Sequence, residues 1–563
     1  MNEMPRRTSS SPPRDPEQTQ AWLVGGGIAS LAAAVHLLRD AGLPGRNIHI
    51  LDLHEQVGGG MASSGDATHG FVVHLSGQPY FHDACVENLL ALVPGGDGHN
   101  AERTLLSQIR AFEWNEGRRL EEALDGSGLQ PVLRPRAQTR FVRNPGQTAV
   151  RSDSSRLAIG PYSRLQLIKI LLEAETALDG RRIQDFFGDE FFSTDFWVLW
   201  ATTFAFRPWH SAAEFQRCLR KHLPDIHSLN HVRDLDHTRY TLYESIILPI
   251  TAYLEAQGVQ FHFHTKVVDV CMQASRDHPT EPATISELVL REGDEEERRV
   301  ALGLDDVAIV TLGSVSAGAQ AGTNTAPAPH PADPDDATYG DWSLWFHLAH
   351  QSGRFGDPLA FNSHPAESKI VSFTITFPDA NFVHRYEALT HDAPGTGALL
   401  SLPDSNWLLS ISVPRQPVCP QQPAHTRVVW GYGLRPEKHG NVINKPMADC
   451  AGHEILRELL THLGFPIATL LPNTITIPCV MPLATAPLLA RSHADRPAVL
   501  PAGTTNLALI GQFCEIPRET TGNLEYSVRG AQMAVHGLMG IEKPLPRVKG
   551  NLLMDVFDLL VDS

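Results

Sequence analysis

The chain has 563 residues, more than one compact core accommodates, so two or three lobes are expected. Its 63 acidic against 46 basic side chains leave a formal net charge of -17, with no basic stripe; nucleic acid is excluded as a partner, because phosphate binding needs concentrated positive surface. The seven cysteines are scattered without C-x-x-C spacing, which argues against a zinc site, a redox pair or a disulfide scaffold and fits a reducing cytoplasm.

Residues 1–20, rich in Arg, Ser, Pro and Gln and without the apolar core of a secretory signal, read as a disordered tail. No stretch approaches the roughly 20 uninterrupted apolar residues of a membrane-spanning helix. The first part of a dinucleotide-binding domain is expected over 21–155. There Trp22 to Ala34 reads W-L-V-G-G-G-I-A-S-L-A-A-A, an apolar strand running through glycines into a helix. Gly25 suits the tight turn, Gly27 lets a pyrophosphate approach the backbone, and Ser30, small where a third glycine is usual, keeps helix and strand close. The helix N-terminus then offers unpaired amides to the phosphates. A second apolar strand, Asn47 to Leu51, ends in Asp52, where a strand-end acid binds a ribose hydroxyl. The glycine cluster that follows, with Gly58 and Gly59, resembles this region of FAD-containing flavoproteins with two dinucleotide domains, which shifts the expected cofactor from NAD to FAD.

Residues 156–235 read as a helical, aromatic-rich region. Leu157 to Leu178 has helical spacing, and Phe186 to Trp209 holds ten aromatics, either a lid over an apolar ligand or the packed seam between lobes. The cofactor domain resumes over 236–315, with a helix from Tyr243 to Leu254 and a strand from Val259 to Val270 that sets Phe261 and Phe263 on one face, His262 and His264 on the other. His262 and His264 read as solvated strand residues, since no third donor lies at metal spacing, and no metal is expected. Val267 sits where such flavoproteins touch the adenine through the backbone, with core packing as the alternative. Asp305 to Gly313 is a short buried strand stopping at Gly313, and 316–338 reads as a linker of Ala, Gly, Thr, Pro and Asp. Strands mixed with proline-rich turns mark a β-rich substrate lobe over 339–500, in which Asn406 and Arg415 are candidates to meet a carboxylate head group. The chain returns to the cofactor domain over 501–543 with a strand ending at Gly511 and a helix from Ser527 to Leu538. A short amphipathic helix over 544–563, carrying Leu552, Leu553, Val556 and Phe557 but also Asp555, Asp558 and Asp562, either docks on the body or grazes a bilayer. The fold class is therefore α/β: a Rossmann-like FAD-binding lobe, a β-rich substrate lobe and a helical lid region.

Several runs are more specific than these patterns. They are G-Q-F-C-E-I-P at Gly511 to Pro517, E-Y-S-V-R-G-A-Q-M-A-V at Glu525 to Val535, F-A-F-R-P-W-H-S at Phe204 to Ser211, Y-E-S-I-I-L-P at Tyr243 to Pro249, D-S-N-W-L-L-S at Asp404 to Ser410 and N-K-P-M at Asn444 to Met447. Together they resemble the oleate hydratase family, once called myosin-cross-reactive antigens, over roughly Ala21 to Lys543. The resemblance implies an FAD-binding enzyme that adds water across a cis double bond of a long-chain unsaturated fatty acid, with no net redox. It leaves a homodimer and a peripheral membrane contact as open partners. Glu515 and Arg529, inside the matching runs, are candidates to flank the flavin, with a salt bridge holding the return crossing as the alternative.

The chain departs from this family where the chemistry is decided. The family loop R-G-G-R-E-M-E-N-H aligns without gaps to His74-Leu75-Ser76-Gly77-Gln78-Pro79-Tyr80-Phe81-His82, so the family carboxylate becomes Gln78, an amide that orients water but takes no proton. The family tyrosine falls in Phe196-Trp197-Val198-Leu199-Trp200, which has no hydroxyl. Three outcomes stand. Tyr80, His82 or Asp83 takes over acid and base duty beside Gln78, and hydration survives. Alternatively the flavin supports double-bond isomerisation or desaturation. Otherwise the protein binds flavin and lipid without turnover.

Overall fold

The computed structural model describes residues 14–74, 80–81, 83–95, 103–112, 139–144, 149–153, 160–222, 236–273, 283–293, 296–329, 342–395 and 399–546. In it the apolar run before the glycines forms the strand Ala21–Val24, which pairs in parallel with Ile48–Leu51 on one side and Val307–Thr311 on the other. Gln260–His262 and Leu507–Ile510 extend the two edges, also in parallel. From edge to edge the order is Leu507–Ile510, Val307–Thr311, Ala21–Val24, Ile48–Leu51, Gln260–His262. The chain thus winds outward in both directions from its first strand, and the crevice at that reversal is where such sheets take ligands. Val307–Thr311 and Leu507–Ile510 are almost wholly buried, as strands covered on both faces must be.

Two helices pack together beside this sheet, Ile28–Arg39 and Leu524–Met539. Arg39 and Asp40 mark the end of the first, where Asp40 accepts from His36 at 2.7 Å and from Lys543 at 3.2 Å. The bond from Lys543 ties the end of the first helix to the segment that follows the second. A separate antiparallel sheet, Thr265–Gln273, Thr284–Glu292 and Arg298–Ala301, forms the flank that carries Val267.

The second lobe is an eight-stranded sheet ordered Gln320–Ala321, Ile475–Met481, Ile370–Phe377, Arg427–Gly433, Leu409–Ser412, Leu400–Ser401, Thr139–Arg143, Val150–Asp153. Its last two strands come from the stretch expected in the cofactor domain, so the boundary at 155 does not coincide with a change of lobe. Local pattern cannot tell which of two sheets a strand joins. The 316–338 segment is likewise no free linker over its described part. Gln320–Ala321 pairs with Ile475–Met481, and the Asn324 side chain accepts from the Thr476 amide at 3.0 Å.

Two further expectations change. Residues 14–20 are ordered: Arg14 is buried and donates to the carbonyls of Leu538, Asp305 (3.1 Å) and Thr505 (3.0 Å), so the part of the tail next to the first strand is pinned to the sheet edge. The single strand expected over 259–270 is two, Gln260–His262 and Thr265–Gln273, broken at His264 with φ +55°. Each piece joins a different sheet. Phe261 and Phe263 do share a face, with stacked rings 6.0 Å apart.

Most of the aromatic stretch is a packed seam, and of it only Phe204 and Phe206 reach the cleft described below. Phe191, Phe196, Trp197, Trp200 and Phe215 interlock as a buried core that also takes in Trp430 and Tyr432 of the large sheet. The helix Asp195–Phe204 is started by Thr194, whose hydroxyl accepts from the Trp197 amide, and stops at Ala205 in a left-handed conformation. No described helix is long and apolar enough to cross a membrane. The helix expected over 544–563 lies outside the described residues beyond Pro546.

Candidate functional site

A cleft of about 1670 Å³ opens at the reversal point and runs from the glycine loops of the parallel sheet to the aromatic edge of the second lobe. Gly25, Gly27, Asp52, Gly58, Gly59, Val267, Gly313 and Gly511 all line it. They come from five segments of the sequence; the parallel sheet gathers most of them because each of its strands ends on the same side, and Val267 enters from the flanking antiparallel sheet.

Two glycines explain themselves by what surrounds them. A Cβ on Gly26 would lie 2.7 Å from the Asp52 carboxylate, whose oxygens accept from the Gly26 amide and, at 2.7 Å, from the His54 amide. Asp52 therefore ties the first loop to the end of the second strand. Gly27, which starts the helix Ile28–Arg39, is different. Its φ of -76° suits any residue, and a Cβ there would meet nothing within 4 Å. Among the described residues no atom requires glycine at this point, and the open space leaves room for a ligand to approach the backbone. The helix start also carries no side-chain cap and no acidic residue in its first turn, which leaves its amides to an incoming anion.

Ser30 lies behind the loop rather than in the cleft. It is fully buried, and its hydroxyl is 3.2 Å from that of Thr311, which holds the helix to the neighbouring strand. The Gly58 amide donates to the Gly26 carbonyl at 2.9 Å and so closes the two glycine loops on each other. Gly313 turns the chain against the rings of Trp342 and Phe513.

Glu515 and Arg529, expected beside the cofactor, are not on the cleft wall. Glu515 is buried in a cluster where it accepts from Arg217 and, at 3.0 Å, from Arg491, while Glu214 accepts from Arg491 and Arg496 at 2.9 and 3.0 Å. Burial pushes the Glu515 carboxyl up, but Arg217, Arg491 and Arg496 outweigh it and hold it at about 2. Arg529 pairs with Glu519 at 3.2 Å and Glu525 at 2.8 Å. Both charges hold the return crossing, because unpaired they could not remain in the core. Asn406 and Arg415 do not line the cleft: Asn406 is exposed, and Arg415 lies over Phe112 at 5.4 Å and lines a small separate pocket that shares Trp430 with the cleft.

Of the four catalytic candidates, Gln78 and His82 lie outside the described residues. Tyr80 is placed only by its backbone, in the two-residue strand Tyr80–Phe81 that pairs with Asp236–His237. Asp83 does reach the cleft and is bound by the Lys221 ammonium at 3.0 Å. Lys221 also donates to Glu519 at 2.7 Å. Glu525, another wall residue, accepts from the amides of Cys85 and Val86 at 3.0 and 3.1 Å; burial, then the charge of Asp83, raises its pKa. Lys221, Glu525 and the Thr520 to Asn523 turn were not singled out from sequence. The turn had a signal: Asn523 precedes an apolar-periodic helix, and its side chain accepts from the Tyr526 amide at 2.8 Å as an N-cap.

Toward the second lobe the wall becomes apolar. Phe204, Phe206, Leu399, Trp430, Tyr432 and Leu488 face the cleft there. The Tyr432 hydroxyl donates to the Thr202 carbonyl, which ties the strand Arg427–Gly433 to the helical seam. Phe196 to Trp200, where the family tyrosine aligns, are buried inside the seam and do not line the cleft.

The fold and site define a two-lobed α/β protein whose cleft joins a glycine-lined, amide-rich half to an aromatic half. The chain belongs to the MCRA family, whose sequence model matches residues 18–536. It is 32% identical to the oleate hydratase of Streptococcus pyogenes serotype M49 (strain NZ131), an alignment covering 97% of this chain and 90% of that one. It is 28% identical to the linoleate hydratase of Lactiplantibacillus plantarum over 93% of this chain and 94% of the relative. Among solved structures, an oxidoreductase from Methanosarcina mazei matches 92% of this chain and 100% of its own at a TM-score of 0.48 and 11% identity. The chain is thus a divergent member of the family to which its sequence motifs point.

Proposed function

We propose that the protein binds FAD in the glycine-lined half of the cleft and hydrates a cis double bond of a long-chain unsaturated fatty acid in the aromatic half. The observation that carries this reading is the cleft itself. Its volume of about 1670 Å³ exceeds the ~300–1000 Å³ of a pocket for one small ligand, and its two halves have opposite chemistry. The named functions of the two hydratase relatives support the same assignment.

The residues present fit the cofactor. Amides at the start of Ile28–Arg39 and the open backbone at Gly27 suit a pyrophosphate, Asp52 a ribose hydroxyl, and the backbone at Val267 an adenine. When bound, FAD supplies a flat polarisable ring system that organises the site with no net electron transfer. The protein's own residues do the rest. Phe204, Phe206, Trp430 and Leu488 give the hydrocarbon chain an apolar wall and keep bulk water from the alkene, so that a positioned water adds in its place. Asp83, with Lys221 on its carboxylate, directly follows in sequence the run that carries Gln78, Tyr80 and His82. A cytoplasmic setting belongs to the same proposal and rests on seven cysteines without disulfide spacing.

The test is anaerobic incubation of the FAD-loaded, reduced protein with oleic and linoleic acids, read by mass spectrometry. Hydration adds one water, about 18 mass units, and leaves the flavin unchanged overall. A shifted or additional double bond without added oxygen would replace this reading with isomerisation or desaturation. Tight fatty-acid binding with no product would leave a non-catalytic lipid-binding protein.

A further inference from the structure

Water adding to an alkene carbon must give up a proton, and the position of the family carboxylate is Gln78 here. One group in the cleft, unassigned so far, is equipped to take that proton. His222 ends the helix Ala212–His222 and lines the cleft. Its ring packs on that of Phe204, centroids 4.7 Å apart, which sets it at the border between the charged wall and the apolar half. Among the described residues nothing hydrogen-bonds to its ring nitrogens, although it is half-buried.

Three other polar groups of the cleft wall are engaged with the protein itself. The Tyr432 hydroxyl donates to the Thr202 carbonyl, and the Thr485 hydroxyl to the Ser368 carbonyl at 3.0 Å. Lys221 is turned to Asp83 and Glu519. A partly buried imidazole on the wall of a ligand cleft, with no ring-nitrogen partner among the described residues, can turn a nitrogen to a molecule in that cleft. Burial, reinforced by the charge on Lys221, pushes the His222 imidazole down to about 3, so it stays neutral with a lone pair available.

We propose, on the hydratase reading, that His222 is the catalytic residue that accepts the proton of the attacking water. As one alkene carbon takes up a solvent-derived proton with the π pair, the water oxygen forms the C–O bond at the other carbon. The O–H bond that breaks leaves its electron pair on oxygen and passes its proton to the imidazole. The imidazolium returns that proton to solvent, which balances the one consumed, and nothing is oxidised or reduced.

The proposal is tested in the FAD-loaded, full-length protein. His222→Phe keeps a ring against Phe204 and His222→Gln keeps a polar group of similar reach, yet neither can take the proton. Both are expected to lower kcat for hydroxy fatty acid formation by about 10²- to 10⁴-fold, with KM changed by less than about threefold. His222→Ala opens space beside the cleft, and added imidazole is expected to raise its rate by about tenfold or more, a rescue that a purely structural role would not give. If His222→Phe or His222→Gln keeps kcat within about threefold of wild type, or imidazole fails to rescue a folded His222→Ala, His222 is not the acceptor and the hydratase reading stands without it. If the wild-type protein forms no hydroxy fatty acid, both fall.

Discussion

Gly27→Ala separates what the fold needs at the fingerprint from what a ligand needs. At φ -76° and ψ 176° the backbone accepts alanine without strain, and the new Cβ meets no protein atom within 4 Å. Restricting the unfolded chain favours alanine by about 0.4–1 kcal/mol. Alanine is a poorer residue than glycine at a helix start, by an amount of the same order and opposite sign. The apo protein should therefore change in stability by less than about 1 kcal/mol. The ligand is affected differently: a phosphate oxygen bonded at about 2.9 Å to amides of this turn would meet the new methyl. We expect FAD affinity to fall at least about 100-fold, or about 2.7 kcal/mol. FAD fluorescence titration gives the affinity, and denaturant melts with and without FAD give the linked stabilisation, which should shrink in the variant by up to about 2.7 kcal/mol at saturating FAD. Gly26→Ala is the contrast, because its Cβ would press on the Asp52 carboxylate at 2.7 Å and weaken the apo protein itself. A Gly27→Ala protein that binds FAD within about threefold of wild type would refute the reasoning; so would one whose apo form is about 3 kcal/mol less stable.

Other expectations follow from the buried charges and the seam. Glu515→Gln leaves Arg217 and Arg491 short of a carboxylate and should cost about 3–5 kcal/mol in a urea melt, with little change in FAD affinity because Glu515 is off the cleft wall. Its carboxyl is held at about 2 against an ordinary 4.5, so its contribution is complete above pH 4.5 and is lost as pH falls through 2. The wild type should accordingly lose stability more steeply than Glu515→Gln over that range, and parallel curves would contradict the assignment. Trp200→Ala, at a fully buried site packed on Phe196, Phe204 and Phe215, should cost about 3–5 kcal/mol in a urea melt; a loss of fatty-acid binding without a loss of stability would revive the lid reading.

Much of the cofactor half was legible because its signals are local. A strand, a glycine turn and a helix start are set by neighbours in sequence, and Gly25, Gly27, Gly58 and Gly511 occupy the cleft as their motifs imply. Ser30 also kept its packing role, shown by its contact with Thr311. Glu515 and Arg529 misled because they sit inside motif runs, and a run records that a segment is constrained without saying by what. Their constraint is a buried ion cluster with partners up to 298 residues away. The reach of the large sheet back to Thr139–Arg143 was equally hidden, since edge pairing is not written in local pattern. His222 had no signal at all: one histidine among 27 is marked only by the cleft it faces.

The amino-acid sequence by itself determined the family, the doubly wound core and the glycines at its ligand crevice, because turn geometry and apolar periodicity act over a few residues. Only the tertiary structure decided which charges serve the core, that most of the aromatic stretch is a seam, and which polar groups reach the cleft. Those outcomes depend on burial and on partners brought together from distant segments, and neither exists until the lobes have packed.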